Sequence, residues 1–121
     1  MIKKVAFTMY PVENLERARN FYEKTLGLQT GKISGQGQWV EYDLPGGGCF
    51  AITNMAIGVK PHDSAGGSIA FEVENLDKLM SELKAKNVKI KLDTMETPVC
   101  RMSVILDSEG NAVVLHKLNQ T

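Results

Sequence analysis

Several short runs of the chain alternate between apolar and polar residues, which is the pattern of a β-strand with one buried face. The clearest run is 38–44, where three apolar residues on one face alternate with Trp39, Glu41 and Asp43 on the other. Further runs of this kind predict strands over 4–10, 28–34, 49–54, 68–73, 88–92, 100–106 and 112–118. The pattern therefore predicts a chain in which strands outnumber helices.

Two stretches instead carry their apolar residues at helical spacing. The first stripe consists of Leu15, Ala18, Phe21, Tyr22 and Leu26, and the second of Leu76, Leu79, Met80 and Leu83. Asn14 and Asn75 precede the stripes, and asparagine is a favoured N-cap residue. Gly27 and Asn87 follow them, and both residue types tolerate the left-handed backbone that ends many helices. The sequence thus predicts two helices with the same design of start and stop.

The four residues at 12–15 recur at 73–76, an offset of 61 positions in a chain of 121 residues. A predicted strand precedes each copy, and a predicted helix and further strands follow it. A repeat of this length indicates one supersecondary unit present twice. We therefore predict an α+β fold with two tandem βαβββ modules, in which the helix covers one face of each sheet. Module one spans about 1–54, the linker about 55–67 and module two about 68–121, within a single domain of 1–121.

Composition and charge limit the possible partners. The chain has a formal net charge of zero, with 43% hydrophobic and 23% charged residues. Without a basic field, binding to nucleic acid or to an anionic membrane is not expected. No run approaches the roughly 20 apolar residues of a spanning helix. Cys49 and Cys100 are isolated thiols, which favours a reducing compartment, so a cytoplasmic location is predicted.

Three segments together resemble the vicinal oxygen chelate superfamily, which includes glyoxalases, bleomycin-resistance proteins and extradiol dioxygenases. The first is 12–18 with the following Phe-Tyr and Leu-Gly pairs, the second is 68–73, and the third is Arg101 with the hairpin 107–111. The resemblance covers nearly the whole chain. It implies paired βαβββ modules that form a U-shaped mixed sheet around a ligand cavity. It also implies helices on the outer face and, in many members, a dimer partner.

Members of this family hold a divalent metal on four cavity positions, two in each module. The resemblance places these positions at Phe7, Ala51, Ser68 and Val114. Phenylalanine, alanine and valine offer no lone pair, and a neutral serine hydroxyl is a poor ligand beside histidine or carboxylate. We therefore predict no metal at the family site and no other cofactor. Metal-chelate isomerisation and ring cleavage are not expected.

Strand alternation extends these four positions into a predicted ligand-binding face. The predicted ligand-binding residues are Phe7, Met9, Trp39, Glu41, Ala51, Ser68, Glu72, Arg101 and Val114. The Trp39 ring is suited to stack on a flat ligand while keeping its indole donor, or else belongs to the core or a dimer interface. Glu72 has the alternative of simply pairing with a cation. Arg101 has two readings, as holder of a ligand anion or as a bridge to a carboxylate.

Three hypotheses for function follow. The leading one is a metal-free, homodimeric protein that binds a small molecule and sequesters a toxic or antibiotic compound. The alternative is a lyase, isomerase or dioxygenase-like enzyme acting on a small carbonyl or aromatic compound. In that enzyme Glu41 is the catalytic base with Arg101 as partner, or a relocated metal lies on Glu41, Glu72 and His116. The third is a ligandless dimer whose cavity has collapsed around Phe7, Met9 and Trp39.

Overall fold

The computed structural model describes residue 1 and residues 5–56, 59–65 and 68–119. The chain divides into two compact units, Met1–Pro61 and His62–Thr121, and the boundary falls in the predicted linker. Each unit contains one four-stranded mixed sheet and one helical region. Among the described residues, none of the helices has the length and apolar character needed to cross a membrane.

The first unit has strand order β1-β4-β3-β2, with β1 parallel to β4 and the other pairs antiparallel. Its helix α1 continues directly into a π-helical segment. The elements are β1 (Thr8–Pro11), α1 (Leu15–Arg19), the π-helical segment (Asn20–Thr25), β2 (Ile33–Ser34), β3 (Trp39–Asp43) and β4 (Cys49–Thr53).

The second unit repeats this topology with order β5-β8-β7-β6, and β5 is parallel to β8. Its elements are β5 (Ile69–Glu72), α2 (Leu76–Ala85), β6 (Ile90–Glu96), β7 (Cys100–Leu106) and β8 (Ala112–Leu118). Thr8 and Ile69 begin the first strands, and Leu15 and Leu76 begin the helices, at the same offset of 61 residues as the sequence repeat. The prediction of an α+β fold with two βαβββ modules is confirmed.

The helix ends are formed as the sequence predicts. The Asn14 Oδ1 atom accepts a hydrogen bond from the backbone N–H of Arg17 at 2.9 Å. Asn75 Oδ1 does the same for Lys78 at 3.1 Å. Gly27 and Asn87 have positive φ angles of 79° and 60°, which end the helices in the left-handed conformation. Local chemistry therefore sets where each helical region begins and ends.

Each sheet buries one face beneath its own helix. The Tyr22 ring packs against Phe50 with centroids 4.9 Å apart, and Tyr42 lies beside both. In the second unit the fully buried side chains include Leu83 of α2 and Val113 of β8. Because successive strand residues point to opposite faces, the other face of each sheet carries the predicted ligand-binding residues of β1, β3, β4, β5 and β8.

Three element predictions need correction. The strand predicted over 28–34 is reduced to Ile33–Ser34, because the backbone N–H of Leu28 donates to the carbonyl of Tyr22 and belongs to the helix end. The predicted first strand begins only at Thr8 and includes Pro11, which an edge strand tolerates; residues 2–4 lie outside the described chain. The strand predicted over 88–92 extends to Glu96 through two register shifts.

Candidate functional site

The open face of the first sheet is built from three strands in register. Met9 of β1 and Glu41 of β3 both pair with Ala51 of the central strand β4, so these side chains form one row across the sheet. Trp39 pairs with Thr53 and lies in the neighbouring row. Ala51 has no exposed surface, whereas Trp39 and Glu41 are half-buried. Because the Ala51 side chain is small, the larger side chains of Trp39 and Glu41 project further from the sheet than it does.

An aromatic pair occupies one part of this face. The Phe7 ring meets Trp39 edge-to-face, with centroids 5.0 Å apart and an interplanar angle of 84°. This is a favourable arrangement for two aromatic quadrupoles. Phe7 remains 45% exposed, so the pair presents apolar ring surface rather than filling a closed core. The contact brings two of the predicted ligand-binding residues together.

Glu41 is oriented by its neighbours. Its Oε2 atom accepts a hydrogen bond from the indole Nε1 of Trp39 at 2.8 Å, and its Oε1 atom lies 3.8 Å from the Cys49 thiol. Burial, reinforced by the negative charges of Glu41 and Asp43, raises the pKa of the Cys49 thiol. Cys49 therefore stays protonated at neutral pH and is not an activated nucleophile. The arrangement presents a fixed carboxylate beside aromatic surface.

The open face of the second sheet carries a different polar pair. Ala70 pairs with Val114, and Glu72 pairs with His116, between β5 and β8. Glu72 Oε1 lies 2.6 Å from His116 Nδ1. Ser68 precedes β5 and is exposed. Here the reading in which Glu72 pairs with a cationic or hydrogen-bonding neighbour matches the geometry, and its ligand-binding role stays a prediction.

Arg101 lies on the other face of the second sheet, in register with Lys117 rather than with His116. Its guanidinium holds Asp77 of α2 with two hydrogen bonds, at 2.7 Å and 3.2 Å. Its Nε atom is buried and lies 3.4 Å from a Glu96 carboxylate oxygen, without the alignment of a hydrogen bond. These contacts match the reading of Arg101 as a bridge to carboxylates, and its ligand-binding role stays a prediction.

The hairpin from Asp107 to Asn111 has a structural role. The Asp107 side chain accepts hydrogen bonds from the backbone N–H groups of Glu109 and Asn111, at 2.8 Å and 2.9 Å, and from Asn111 Nδ2 at 3.0 Å. Asn111 Oδ1 in turn accepts from the backbone N–H of His62 at 3.2 Å. Both side chains are buried. This segment, part of the family resemblance, closes the β7–β8 hairpin.

The residues at the four family metal positions do not fit a divalent cation, since Phe7, Ala51 and Val114 supply no donor atom and Ser68 only a neutral hydroxyl. Within the part of the chain that the structure describes, no group of three or more His, Cys, Asp or Glu side chains is arranged to hold a metal. A relocated site on Glu41, Glu72 and His116 therefore has no support.

Sequence reasoning missed a polar cluster at the π-helical segment. Glu23 accepts hydrogen bonds from Arg19 Nε at 2.7 Å and from the hydroxyl of the fully buried Tyr42 at 2.8 Å. Burial acts to raise the pKa of Glu23, but hydrogen bonds from Arg19, Tyr42 and Thr30 outweigh it and lower the pKa. A tyrosine on the buried face of a strand needs a hydrogen-bond partner, which was the available signal.

The βαβββ order, present once in each unit, defines the class of fold. The sequence model of the Glyoxalase/Bleomycin resistance protein/Dioxygenase superfamily matches residues 4–115. The chain therefore belongs to this superfamily. No curated protein sequence is significantly similar to it.

Solved structures with the same fold share little sequence with this chain. A glyoxalase/dioxygenase from Nostoc punctiforme has a TM-score of 0.80 at 14% identity, covering 98% of this chain and 92% of its own. TnmS3, an antibiotic binding protein from Streptomyces sp. CB03234, has a TM-score of 0.78 at 18% identity and covers 98% of both chains. The fosfomycin resistance protein FosX from Listeria monocytogenes has a TM-score of 0.73 at 17% identity, covering 97% and 94%. At these identities the likeness shows the fold.

Proposed function

We propose that this protein binds a small molecule without a metal, on the open face of its first sheet. The observation that carries the proposal is the Phe7–Trp39 aromatic pair with the Glu41 carboxylate hydrogen-bonded beside it. Apolar surface with a few fixed polar groups is the usual composition of a small-molecule site. Phe7, at one of the family metal positions, is 45% exposed and adds to that apolar surface.

The chemistry of this face favours a flat, largely apolar ligand with a positive charge. The exposed ring surface of Phe7 and Trp39 suits stacking, and aromatic faces also attract cations. Glu41 supplies a half-buried negative charge next to those rings. Two of the fold relatives are described as an antibiotic binding protein and a fosfomycin resistance protein, which supports sequestration of an antibiotic or toxic compound as the concrete form of the proposal.

The proposal includes a cytoplasmic homodimer. Its support is the exposed apolar side chains Leu92, Met95 and Leu118 on the strands of the second sheet, since exposed apolar surface often marks an interface. Light scattering at several protein concentrations measures the mass directly. A monomer at all concentrations would remove the dimer from the proposal and leave the binding site unchanged.

The first test uses the fact that Trp39 is the only tryptophan of the chain. Intrinsic tryptophan fluorescence therefore reports on the proposed site alone. The purified protein is titrated with a panel of planar aromatic cations and with neutral compounds of the same shape. We expect cations to change the emission at lower concentration than their neutral counterparts. A panel that leaves both the emission and the melting temperature unchanged would contradict the proposal.

A matched pair of variants separates a specific contact of Glu41 with the ligand from the general effect of removing one negative charge. Glu41→Gln should weaken binding of a cation about tenfold, because one charged contact contributes on the order of 1–2 kcal/mol when partly desolvated. Asp43→Asn removes the same charge from the same strand face at an exposed position and should change affinity less than threefold. Equal effects of the two variants would argue against a specific contact with Glu41.

The enzyme hypothesis keeps only Glu41 as a candidate base, because its intended partner Arg101 is bonded to Asp77. The same panel of compounds distinguishes an enzyme from a binding protein. Conversion of a bound carbonyl or aromatic compound by the wild-type protein, lost in Glu41→Gln while binding persists, would favour an enzyme. Binding without conversion supports the binding protein proposed here.

A further inference from the structure

A carboxylate–imidazole pair on the second sheet forms a site distinct in chemistry from the Trp39–Glu41 pair. We propose that His116, oriented by Glu72, accepts a hydrogen bond, and then a proton, from the hydroxyl of a phenolic or enolic ligand. The pair lies on the open face of the second sheet at the ends of β5 and β8. The assignment goes beyond the proposed function, because it names a second ligand chemistry on another sheet.

Glu72 is held at both oxygens. Its Oε2 atom accepts from the backbone N–H of Leu118 at 2.9 Å, and its Oε1 atom meets His116 Nδ1 at 2.6 Å. The last β5–β8 pair is Glu72 with His116, so the Leu118 N–H lies beyond the ladder and the carboxylate takes the place of a missing strand residue. This edge role uses one oxygen only, and the second oxygen remains to orient the imidazole.

The charge of Glu72 determines which imidazole nitrogen carries the proton. Hydrogen bonds from the Leu118 N–H and from His116 lower the pKa of Glu72, so the carboxylate is ionised at neutral pH and only accepts. His116 Nδ1 must therefore donate, and in the neutral ring Nε2 then carries the lone pair. Among the described residues Nε2 has no hydrogen-bond partner, and the side chain is 25% exposed. A basic nitrogen thus remains available to a ligand.

The surroundings of His116 favour an apolar ligand body. Met102 is its partner across the antiparallel pair, and Val114 and Ala70 form the next row on the same face. Lys117 points to the opposite face. A phenol or enol matches this surface, because its acidic O–H reaches Nε2 while its carbon frame covers the apolar row.

The proton transfer balances within the pair. The ligand O–H bond breaks, its electron pair stays on oxygen, and the proton forms a bond with Nε2. The products are an oxyanion and an imidazolium whose Nδ1–H remains on Glu72. The negative carboxylate stabilises the new positive charge, as in other carboxylate–histidine pairs. No oxidant, metal or second substrate takes part.

The first test is the tautomer of the two histidines by nitrogen NMR of the imidazole rings. We expect His116 to be protonated at Nδ1, and the exposed His62, which is the other histidine of the chain, serves as the internal control. Glu72→Gln should reverse the tautomer. An amide whose oxygen stays on the Leu118 N–H turns its NH₂ toward Nδ1, which must then accept. Wild-type His116 protonated at Nε2 would overturn the proposal.

The second test is a titration with 4-nitrophenol, whose absorbance changes when its hydroxyl loses the proton. Wild-type protein should bind the probe and shift its spectrum toward the phenolate. His116→Gln and Glu72→Gln should each weaken this effect at least tenfold, whereas His62→Gln should leave it unchanged. An unaltered probe spectrum, or equal behaviour of His116→Gln and wild type, would overturn the inference. A failed screen with aromatic cations would leave this outcome untouched, because 4-nitrophenol carries no positive charge.

Discussion

The indole nitrogen of Trp39 and the carboxylate of Glu41 are joined by a 2.8 Å hydrogen bond along one face of β3. The two residues are separated by Val40, which points to the buried face. The bond fixes the ring plane and the charge relative to each other before any ligand arrives. Preorganisation of this kind lowers the entropy cost of binding.

Removal of the Glu41 acceptor should change the stability of the protein even when no ligand is present. Glu41→Ala leaves the Trp39 N–H without its charged partner, and we expect a loss of about 1–2 kcal/mol in the free energy of unfolding. Urea unfolding followed by tryptophan emission measures both the loss and the change around the ring. Asp43→Ala, at the exposed end of the same strand, should stay within about 0.5 kcal/mol. Similar losses in both variants would show that the hydrogen bond contributes nothing specific.

The hairpin carboxylate of Asp107 should matter more for stability than any residue of the open faces. Asp107→Ala removes the acceptor of three hydrogen bonds in a buried turn, so unfolding should become easier by about 2–4 kcal/mol. Chemical denaturation monitored by circular dichroism measures this change in the free energy of unfolding. Asp107→Asn keeps one acceptor oxygen and should lose less than the alanine variant. A loss below about 0.5 kcal/mol for Asp107→Ala would contradict this assignment.

The Tyr42–Glu23 contact predicts a specific dependence on pH. The pKa of Glu23 is lower in the folded protein than its ordinary value of 4.5, so the stabilisation is complete above that value and declines as pH falls through the folded pKa. Tyr42→Phe should therefore lower the free energy of unfolding by about 1–2 kcal/mol at neutral pH and by less near about pH 3.

Urea unfolding of wild type and Tyr42→Phe at both pH values gives the two differences directly. Glu23→Gln is the control, because an amide does not titrate. In that background, the effect of Tyr42→Phe should no longer depend on pH. If Tyr42→Phe lowered the free energy of unfolding more at acidic pH than at neutral pH, that result would contradict the role assigned to this contact.

Gly31 approaches the backbone of β3 more closely than a larger residue allows. A Cβ at this position would lie 3.1 Å from the carbonyl oxygen of Glu41, which is fixed because it also accepts from the Gly31 N–H at 2.7 Å. Gly31→Ala should cost about 1–2 kcal/mol and shift the Trp39 emission. Gly46→Ala has no described atom within 4 Å of the new Cβ and no positive φ, so it should be neutral or stabilising by up to about 1 kcal/mol. Thermal unfolding of both variants checks the opposite signs.

The parts of the fold that follow from local patterns were predictable. Asn14 and Asn75 cap the helices, Gly27 and Asn87 end them, and alternation assigns Trp39 to the face opposite the core. These features depend on residues a few positions apart, which a single sequence displays directly. The short β2 was mispredicted, because the hydrogen bond from Leu28 to Tyr22 extends the helix end into a run with strand composition.

The candidate site was predictable only in part. Alternation along β3 assigns Glu41 to the open face, since the period of a strand fixes the side of each residue. The family resemblance assigns Phe7, Ala51 and Val114 to ligand positions, and alternation from Phe7 adds Met9 to the same face. The sequence leaves Arg101 open between a ligand anion and a carboxylate partner, and its two hydrogen bonds to Asp77 match the second reading. The sequence does not identify that partner, because Asp77 lies 24 positions away on α2.

From the sequence alone come the two modules, their helices, the open faces and the loss of the family's metal donors. The modules, helices and open faces follow from residue type and short-range periodicity, whereas the loss of the metal donors follows from the family resemblance and the residue types at its four positions. The register of β5 with β8 joins Glu72 to His116, and the packing of the π-helical segment on the first sheet joins Glu23 to Tyr42. Hydrogen bonds between side chains require atoms within about 3 Å. Such distances between residues far apart in sequence exist only once the sheets have formed, and therefore these two polar pairs are decided by the tertiary structure.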